Sequence, residues 1–598
     1  FCSEIKKNLV TEEVEDMREK REKIVQSFTI QEDNTEDGSL EFDWIPLREN
    51  NDSVVAIGDD SLSDHPSLCP VQIRMRAEGS FGVMNYRHSI SCATVRYHVN
   101  RRYHIRLTLN KEAKTYSVWI APPGRRPVQV GRDHMFLMDA PECTGFRKIF
   151  LIMDRQDDCK LENWKTGPAR DDCFPSGKCG SGRNPAMFQV GPARKFKTLQ
   201  EVEDLLYPGD TVLVDGDCTY YGGLVFPHHG TEDASITVKG VEVNGRRPLI
   251  DGGRGDLFAV ELSGHNFVFE GFEVIGGTKA AICHHANNIV IRDCVIHDSP
   301  MGILSDQDIG MGNILVEYCE VYHCGKDMYS HQLYMATDEI RFPGSVSRIR
   351  FCYIHDASGG NNIKSRAERN EIYYNWLENP FYHNLELIGP DPDYNPAGED
   401  LAREDSDVAG NVLISSSWYQ ARLGGDGTGQ SKGRYRFANN TFLCNYPVDK
   451  AAEFSHFRIM FGIESIEMHN NLFYDLNNGR ATPIYYEDRA EWVAGRRVIG
   501  ESSNWVEKGC DVKDMEDWTG TIAGTDPGFL KERDYDFRLK ADSPLVGKGT
   551  FRTESPEGYA FPNPLPVPLY VPPARALLRP GTAGKREIGN GGLNIGAY

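Results

Sequence analysis

A series of short segments between residues 281 and 424 places polar and charged side chains around a single apolar residue. Because alternate side chains of a β-strand point to opposite faces, the neighbours of each inward apolar residue are expected on the outer face. Adjacent segments would bring these side chains close together. The predicted outer-face residues are His285, Asp306, Gln332, Tyr334, Asn362, Lys364, Arg366, Asn384, Glu386, Gln420 and Arg422.

Four of these side chains form a candidate catalytic group, Lys364, Arg366, Tyr334 and Arg422. Elimination from a uronate needs a cation at the carboxylate, a base for the C5 proton and an acid for the leaving oxygen. Lys364 and Arg366 are predicted to supply base and cation, since a nearby cation favours the neutral lysine. Tyr334 or Arg422 is predicted to assist the leaving group. The alternative is that Lys364 only pairs with Glu386 in a structural ladder.

The other polar side chains of the predicted outer face suit hydrogen bonding to a sugar chain. Amides and an imidazole offer both donors and acceptors. The predicted substrate-binding residues are His285, Gln332, Asn362, Asn384 and Gln420.

A second pattern predicts the scaffold that would hold these segments. The unit apolar-x-x-(Phe, Cys or Asn)-x-apolar occurs eight times from Phe269 to Phe473, at intervals of 22 to 36 residues. Each copy is strand-like, which is typical of a parallel β-helix with coils stacked about 4.8 Å apart. A metal site is disfavoured because no His or acidic residue shares the column. The predicted buried column is Cys294, Cys319, Cys352, Asn375, Asn411, Asn440 and Asn471.

Two further stretches flank the repeat. Residues 196–214 contain Pro-Gly-Asp-Thr before a β-branched strand, and residues 525–549 contain Thr-Asp-Pro-Gly-Phe and then Asp-Phe-Arg-Leu. Together they resemble the opening and closing segments of right-handed β-helix polysaccharide lyases of the alginate lyase and chondroitinase B type. The run Asn-Ile-Lys-Ser-Arg-Ala at 362–367 also looks like a segment of such proteins. The resemblance implies the fold over about 195–550, a short helix capping its open end, and a lyase activity.

The resemblance also implies a cation, because related lyases often use calcium to grip the substrate carboxylate. The acidic insertion at 391–407 follows Glu386. Carboxylate oxygens are ligands that Ca²⁺ prefers, so Glu386, Asp391 and Asp393 are predicted metal ligands. The alternative is a solvated acidic loop.

The sequence predicts five regions. Residues 1–40 are charged and partly helical. Residues 41–155 alternate apolar and polar side chains in Thr94–Val99, Tyr103–Leu109 and Thr115–Ile120, which predicts an antiparallel β-sandwich. Residues 156–194 form a linker in which Cys159, Cys173 and Cys179 are expected in disulfides. The β-helix follows at 195–550, and a Pro-rich strap at 551–598.

Composition limits the partners and the compartment. A net charge of −21 disfavours nucleic-acid binding, and no apolar run is long enough for a membrane helix. Fifteen cysteines and the sequons at Asn51 and Asn439 indicate a secreted glycoprotein. The odd cysteine count leaves a thiol for self-assembly, for which the N-terminal segment is a second candidate.

Three functional readings follow, and an extracellular lyase acting on an acidic polysaccharide is favoured. The first alternative is a structural or adhesive β-helix that self-assembles. The other is a glycoside hydrolase, which needs two carboxylates flanking the bond. Asp306 and Glu386 lie three coils apart on the predicted face, about 14 Å, which is too far for either hydrolase arrangement.

Overall fold

The computed structural model describes most of the chain in two compact units, residues 1–173 and 174–598. The described residues are 23–30, 38–141, 146–168, 183–253, 255–305, 310–390, 404–416, 418–425, 431–446, 455–477, 481–510, 520–551, 553–561, 563, 567–588 and 592–598. The charged run at 12–21, Cys173 and Cys179 lie outside them.

The first unit contains two antiparallel sheets, which confirms the predicted β-sandwich. Tyr103–Asn110 and Thr115–Ala121 are strands as predicted, whereas Thr94–Val99 is irregular apart from a bridge from Arg96 to Ser80. The six-stranded sheet consists of Ile24–Thr29, Lys148–Met153, Val54–Gly58, Val71–Met75, Phe81–Asn85 and His88–Ser89. The five-stranded sheet consists of Cys159–Pro168, Gly38–Pro46, Tyr103–Asn110, Thr115–Ala121 and Val128–Met135. Single 3-10 turns lie at Asp60–Leu62 and Pro66–Leu68.

The second unit is a parallel β-helix of three sheets, as predicted. Sheet 1 contains Met187–Val190, Thr211–Asp215, Ile236–Val241, Phe267–Glu270, Ile289–Arg292, Ile314–Glu317, Val346–Arg350, Arg369–Tyr373, Asp405–Ala409, Arg434–Ala438, Ser465–His469 and Val498–Ser502. Sheet 2 contains Thr219–Tyr221, Leu249–Asp251, Glu273–Ile275, Val295–His297, Glu320–Tyr322, Tyr353–His355, Trp376–Glu378, Val412–Ser415, Thr441–Cys444, Leu472–Asp475, Trp505–Glu507 and Ile522–Gly524. Sheet 3 contains Leu224–Phe226, Phe258–Leu262, Ala280–His284, Ile303–Ser305, Leu333–Ala336, Ile363–Arg366, Leu385–Leu387, Ala421–Leu423, Ser455–Ile459 and Thr482–Tyr486.

The predicted Cys and Asn column lies at the corner between sheets 1 and 2. Every member is fully buried, as predicted. The residue before each corner position has a positive φ, for example Asp293 at 52° and Gly410 at 69°, which turns the chain sharply. Each buried Asn then bonds to the next coil: the Asn411 amide nitrogen donates to Asn440 Oδ1 at 2.9 Å, and that of Asn440 to Asn471 Oδ1 at 3.0 Å. The side chains therefore satisfy the polar groups that the tight corner leaves over.

Both ends of the β-helix differ in detail from the sequence expectation. The predicted capping helix is a single 3-10 turn, Leu199–Glu201, whose Leu199 joins the β-helix core. The closing segment forms a 3-10 turn, Glu532–Asp534, between the paired strands Phe529–Lys531 and Asp536–Leu539. These strands pack Phe537 against Trp376 of sheet 2. One short α-helix, Arg489–Ala494, is present among the described residues, and no helix there is long and apolar enough to cross a membrane.

The C-terminal segment runs back along the coils. The Phe561 ring lies 4.3 Å from the Arg436 guanidinium of sheet 1, and Arg575 pairs with Glu378 at 3.0 Å. Arg579 reaches Asp293, several coils nearer the N-terminus, at 3.4 Å. The segment thus connects coils that are distant in sequence, as a strap does.

Two expectations about covalent modification are not supported. Among the described residues no disulfide is present, and Cys159 is buried in a sandwich strand and not in a linker. The two sequon amides are also buried: Asn51 Nδ2 donates to Asp158 O at 2.8 Å, and Asn439 Nδ2 to Asn594 O at 2.9 Å. In the fold as described, these amides leave no room for a glycan.

Candidate active site

An outward column of sheet 3 brings together three of the four predicted catalytic residues. Strand register pairs Tyr334 with Lys364, Lys364 with Glu386, and Glu386 with Arg422. The column continues to Arg458 and, on the other side, to Leu304, which is buried. Side chains in such a column are one coil, about 4.8 Å, apart. The accessible part of the column therefore begins at Tyr334.

Glu386 lies between two cations. Its Oε2 is 3.6 Å from Lys364 Nζ, and Arg422 Nη1 donates to its Oε1. Asn361 Nδ2 also donates to Oε2, at 2.5 Å. Only 3% of Glu386 is exposed, and each of its carboxylate oxygens contacts a donor inside the protein. The ion pair between Lys364 and Glu386, which the structural alternative predicts, is therefore present.

The charges of this group follow from its surroundings. Burial alone would raise the pKa of the Glu386 carboxyl, but the cations of Lys364 and Arg422 outweigh burial and hold that pKa at about 2. Burial lowers the pKa of the neighbouring imidazoles His331 and His383 to about 3. At neutral pH the site therefore holds a carboxylate between two cations, flanked by neutral imidazoles.

The low pKa of Glu386 predicts an acid-sensitive contribution to stability. Because the pKa is about 2 in the fold and 4.5 ordinarily, the unfolded chain binds more protons between these values. The contribution is complete above about pH 4.5 and is lost as the pH falls toward 2. Glu386→Gln removes it, so we expect the difference in unfolding temperature between wild type and variant to shrink from pH 5 to pH 2. A difference that stays constant over this range would contradict the assignment.

Arg366 lies behind Tyr334 and Lys364. Its Nε donates to Tyr334 Oη at 3.0 Å, and its Nη1 donates to Gly389 O at 2.8 Å. Lys364 Nζ lies 5.4 Å from the centre of the Tyr334 ring. Arg366 is buried, whereas 12% of the Lys364 side chain is exposed and Tyr334 is partly exposed. Tyr334 and Lys364 thus face the solvent, and Arg366 holds the tyrosine hydroxyl from inside.

The four amides predicted to bind substrate are not on the outer face, and this expectation was wrong. Gln332, Asn362, Asn384 and Gln420 are fully buried. Each donates to the next at 2.7 to 2.8 Å, and Gln420 ends the chain at Leu443 O. These residues precede the sheet 3 strands, at the bend from sheet 2, where the alternation of a straight strand does not hold. They form a second corner ladder.

His285 was also expected on the open face but is buried. Its Nε2 lies 3.5 Å from Cys283 Sγ and 3.8 Å from Glu261 Oε1. Phe258 packs edge-on against its ring, with 6.4 Å between centres. This cluster belongs to the closed part of the column. Asp306, the other acid of the hydrolase alternative, lies outside the described residues.

Of the three predicted calcium ligands, Glu386 is the one that the structure describes. Glu386 does not fit this role, because a bound cation would lie beside Lys364 and Arg422. Asp391 and Asp393 are outside the described residues, so a role for them stays a prediction. Among the residues that the structure describes, no group of three or more His, Cys, Asp or Glu side chains is arranged to hold a metal ion.

Several residues of the site were not found from the sequence. Asn361 and His383 belong to the network of Glu386, and their side chains are 3.1 Å apart. Phe381 and Trp418 lie on loops just before sheet 3 strands and are strongly exposed. A signal was available: Phe-Tyr-His-Asn-Leu at 381–385 and Tyr-Ser-His-Gln-Leu at 329–333 occupy equivalent positions. Aromatic residues there are not needed for the core.

Comparison with known proteins gives distant similarities. No family model matches the chain. A gellan lyase of Bacillus sp. is 25% identical over 119 residues, which are 20% of this chain and 5% of that protein. The chain thus matches about a twentieth of that relative's length.

Several of the solved structures that are similar to this chain are polysaccharide lyases. The pectate lyase Pel9A is 12% identical with a TM-score of 0.39, covering 70% of this chain and 97% of that one. An alginate lyase from Paenibacillus sp. str. FPU-7 is 13% identical with a TM-score of 0.31, covering 50% and 95%. At these identities the likeness concerns the fold alone.

Proposed function

We propose that the protein cleaves an acidic, uronate-containing polysaccharide by β-elimination at the outer face of sheet 3. One observation carries the proposal. Lys364 and Tyr334 reach the solvent side by side, and each is held by a buried charged group, Glu386 or Arg366. A cation and a hydroxyl on neighbouring coils match what an elimination requires.

The geometry suggests roles that differ from those expected at first. The Glu386 carboxylate, 3.6 Å away, favours the charged form of Lys364, so the lysine suits neutralising the substrate carboxylate better than taking a proton. The hydrogen bond from Arg366 stabilises the oxyanion of Tyr334. Tyr334 Oη would accept the C5 proton. The C5–H electron pair then forms the C4–C5 double bond, the bond from C4 to the leaving oxygen breaks, and that oxygen takes the proton from Tyr334.

The sequence relative agrees with this class of reaction. The protein that is 25% identical to this chain over 119 residues is named a gellan lyase. Because the shared stretch is a small part of that protein, its substrate enters here as one member of a test panel. A hydrolase is disfavoured because both oxygens of Glu386 are engaged by Lys364, Arg422 and Asn361.

A second candidate function is that of a non-catalytic structural or adhesive protein that self-assembles. The observation in its favour is the charge pairing of Lys364, Glu386 and Arg422, which resembles a purely structural ladder. Such a protein would not change any polysaccharide. Activity therefore separates the two candidates.

The test is incubation with alginate, pectate, glycosaminoglycans, glucuronan and gellan while the absorbance of 4,5-unsaturated uronates is followed. We expect the absorbance to rise with at least one acidic polymer and to stay flat with neutral glucans. A flat trace with every acidic polymer, from protein with an intact β-helix by circular dichroism, would contradict the proposal and favour the structural candidate.

A further inference from the structure

Exposed aromatic side chains border the outward column of sheet 3. Tyr329, Phe381 and Trp418 are 70%, 52% and 45% exposed. Each lies three or four residues before the inward apolar residue of a sheet 3 strand, Leu333, Leu385 and Ala421. A cluster of exposed apolar side chains marks a binding surface, whereas single exposed residues need no explanation. We call the following set the aromatic rim: Tyr329, Phe381, Tyr382, Trp418, Tyr419 and Tyr485.

Most rings of the aromatic rim are fixed by one another. Tyr382 lies 5.2 Å from Trp418 between ring centres, and 3.8 Å from His383. Tyr419 stacks on His383 at 5.8 Å and on Tyr485 at 6.2 Å, with interplanar angles of 21° and 11°. The rings are therefore ordered before any ligand arrives, which reduces the entropy lost on binding.

The rim is joined to the candidate active site. His383 contacts Asn361, which donates to Glu386. On the other side, the Arg458 guanidinium lies 5.5 Å from the centre of the Tyr419 ring and belongs to the same outward column as Arg422. An apolar ring thus lies beside a cation here, on a protein whose net charge is −21. This combination suits a ligand with apolar faces and negative charges, which an acidic sugar chain has.

The rim is interrupted in the coil that carries Lys364. The equivalent positions before Ile363 are Gly359 and Gly360. A Cβ at Gly360 would lie 2.3 Å from Ser330 O, and one at Gly359 would lie 2.5 Å from Asp327 O. A side chain cannot fit at either position without moving the backbone of the previous coil. The rim therefore has a gap in front of Lys364, between Tyr329 and Phe381.

We infer that the aromatic rim binds an acidic sugar chain on both sides of Lys364, with the reacting unit in the gap formed by Gly359 and Gly360. The inference rests on the proposed function and adds where the chain lies. Tyr329 stacks a sugar on one side of the reacting unit. Phe381 and Trp418 stack sugars on the other side.

The test uses the full chain with Trp418→Ala, Trp418→Phe and Tyr329→Ala. Because stacking contributes to binding before and during the reaction, Trp418→Ala should raise KM about tenfold and leave kcat within about twofold. Trp418→Phe should restore most of the affinity, since it keeps an aromatic face. Tyr221→Ala is the matched control, because Tyr221 is 50% exposed on sheet 2, away from the rim.

Binding is measured separately, by retardation in gels containing each acidic polymer. Retardation that Trp418→Ala abolishes and Tyr221→Ala retains, with no unsaturated product, supports the rim and contradicts the proposed function. If neither Trp418→Ala nor Tyr329→Ala changes cleavage or retardation, sugar binding by the aromatic rim is contradicted. The proposed function is then unaffected. Absence of both retardation and cleavage with every acidic polymer contradicts both. If gels containing acidic polymers do not retard the protein, while gels containing another protein or an apolar polymer do, the proposed role of the aromatic rim is also contradicted.

Discussion

Tyr334→Phe is expected to lower kcat by about 10²–10⁴-fold on a polysaccharide that the wild type cleaves, the usual cost of losing an acid–base group. The variant keeps the ring that packs beside Lys364 and loses the hydroxyl that Arg366 holds. KM should change little, because the hydroxyl acts mainly in the transition state. Initial rates of unsaturated product, measured over a range of substrate concentrations, provide both constants.

The control for this substitution is Tyr322→Phe, which removes a hydroxyl from sheet 2 of the same β-helix. Its kcat should equal that of the wild type. Equal activity of Tyr334→Phe and wild type would remove Tyr334 from the mechanism. Lys364 would then be the residue to test as the base, through the pH dependence of kcat.

Asn440→Ala is expected to have the largest effect on stability, about 3–5 kcal/mol, because it leaves several buried polar groups without partners. The Asn440 backbone and side-chain nitrogens both donate to Asn471 Oδ1, and its Nδ2 also donates to Val408 O. Its Oδ1 accepts two hydrogen bonds from Asn411. The midpoint of denaturant unfolding, followed for the β-helix transition, measures the loss.

Cys319→Ala is the matched control, because Cys319 occupies the same corner column and is equally buried. Its Sγ lies 3.3 Å from Glu317 O and 3.7 Å from Ile291 O, and a thiol is a weaker hydrogen-bonding group than an amide. Removing it should cost about 1–2 kcal/mol, mainly through lost packing. Equal costs for the two substitutions would show that the Asn hydrogen bonds are not what stabilises the corner.

The β-helix was predictable because its corner between sheets 1 and 2 imposes a strict spacing. Each coil has one buried side chain after a left-handed residue, and the repeat that contains Cys294 and Asn375 shows this arrangement in every copy. The ladder even continues one coil further, since Asn471 donates to Asn504 Oδ1 at 3.2 Å. Local geometry and long-range packing select the same residues at this corner.

The candidate site was only partly predictable. The column of Tyr334, Lys364 and Arg422 follows from strand alternation, so its members were found. The same rule failed at Gln332 and Asn384, because they lie at a bend and point into the corner. Lys364 itself is less exposed than a surface strand position would be, so its replacement should also cost some stability.

The loops of the site were not predicted for a different reason. Coil spacing constrains the residues before each strand weakly, so the signal at Trp418 and Phe381 is limited to an aromatic residue at equivalent positions of a few coils. The sequons and the number of cysteines did not predict which of these residues are buried. Asn51 and Cys159 are buried in the sandwich, where Asn51 contacts Asp158, a residue distant in sequence.

The mass of the products released by the wild type tests the central claim most directly. Elimination leaves a new non-reducing end one water lighter than hydrolysis does. We predict that oligosaccharides from a cleaved acidic polymer carry this unsaturated end, and that Tyr334→Phe releases almost none. Saturated products of full mass, or product release unchanged by Tyr334→Phe, would contradict β-elimination at this face of sheet 3.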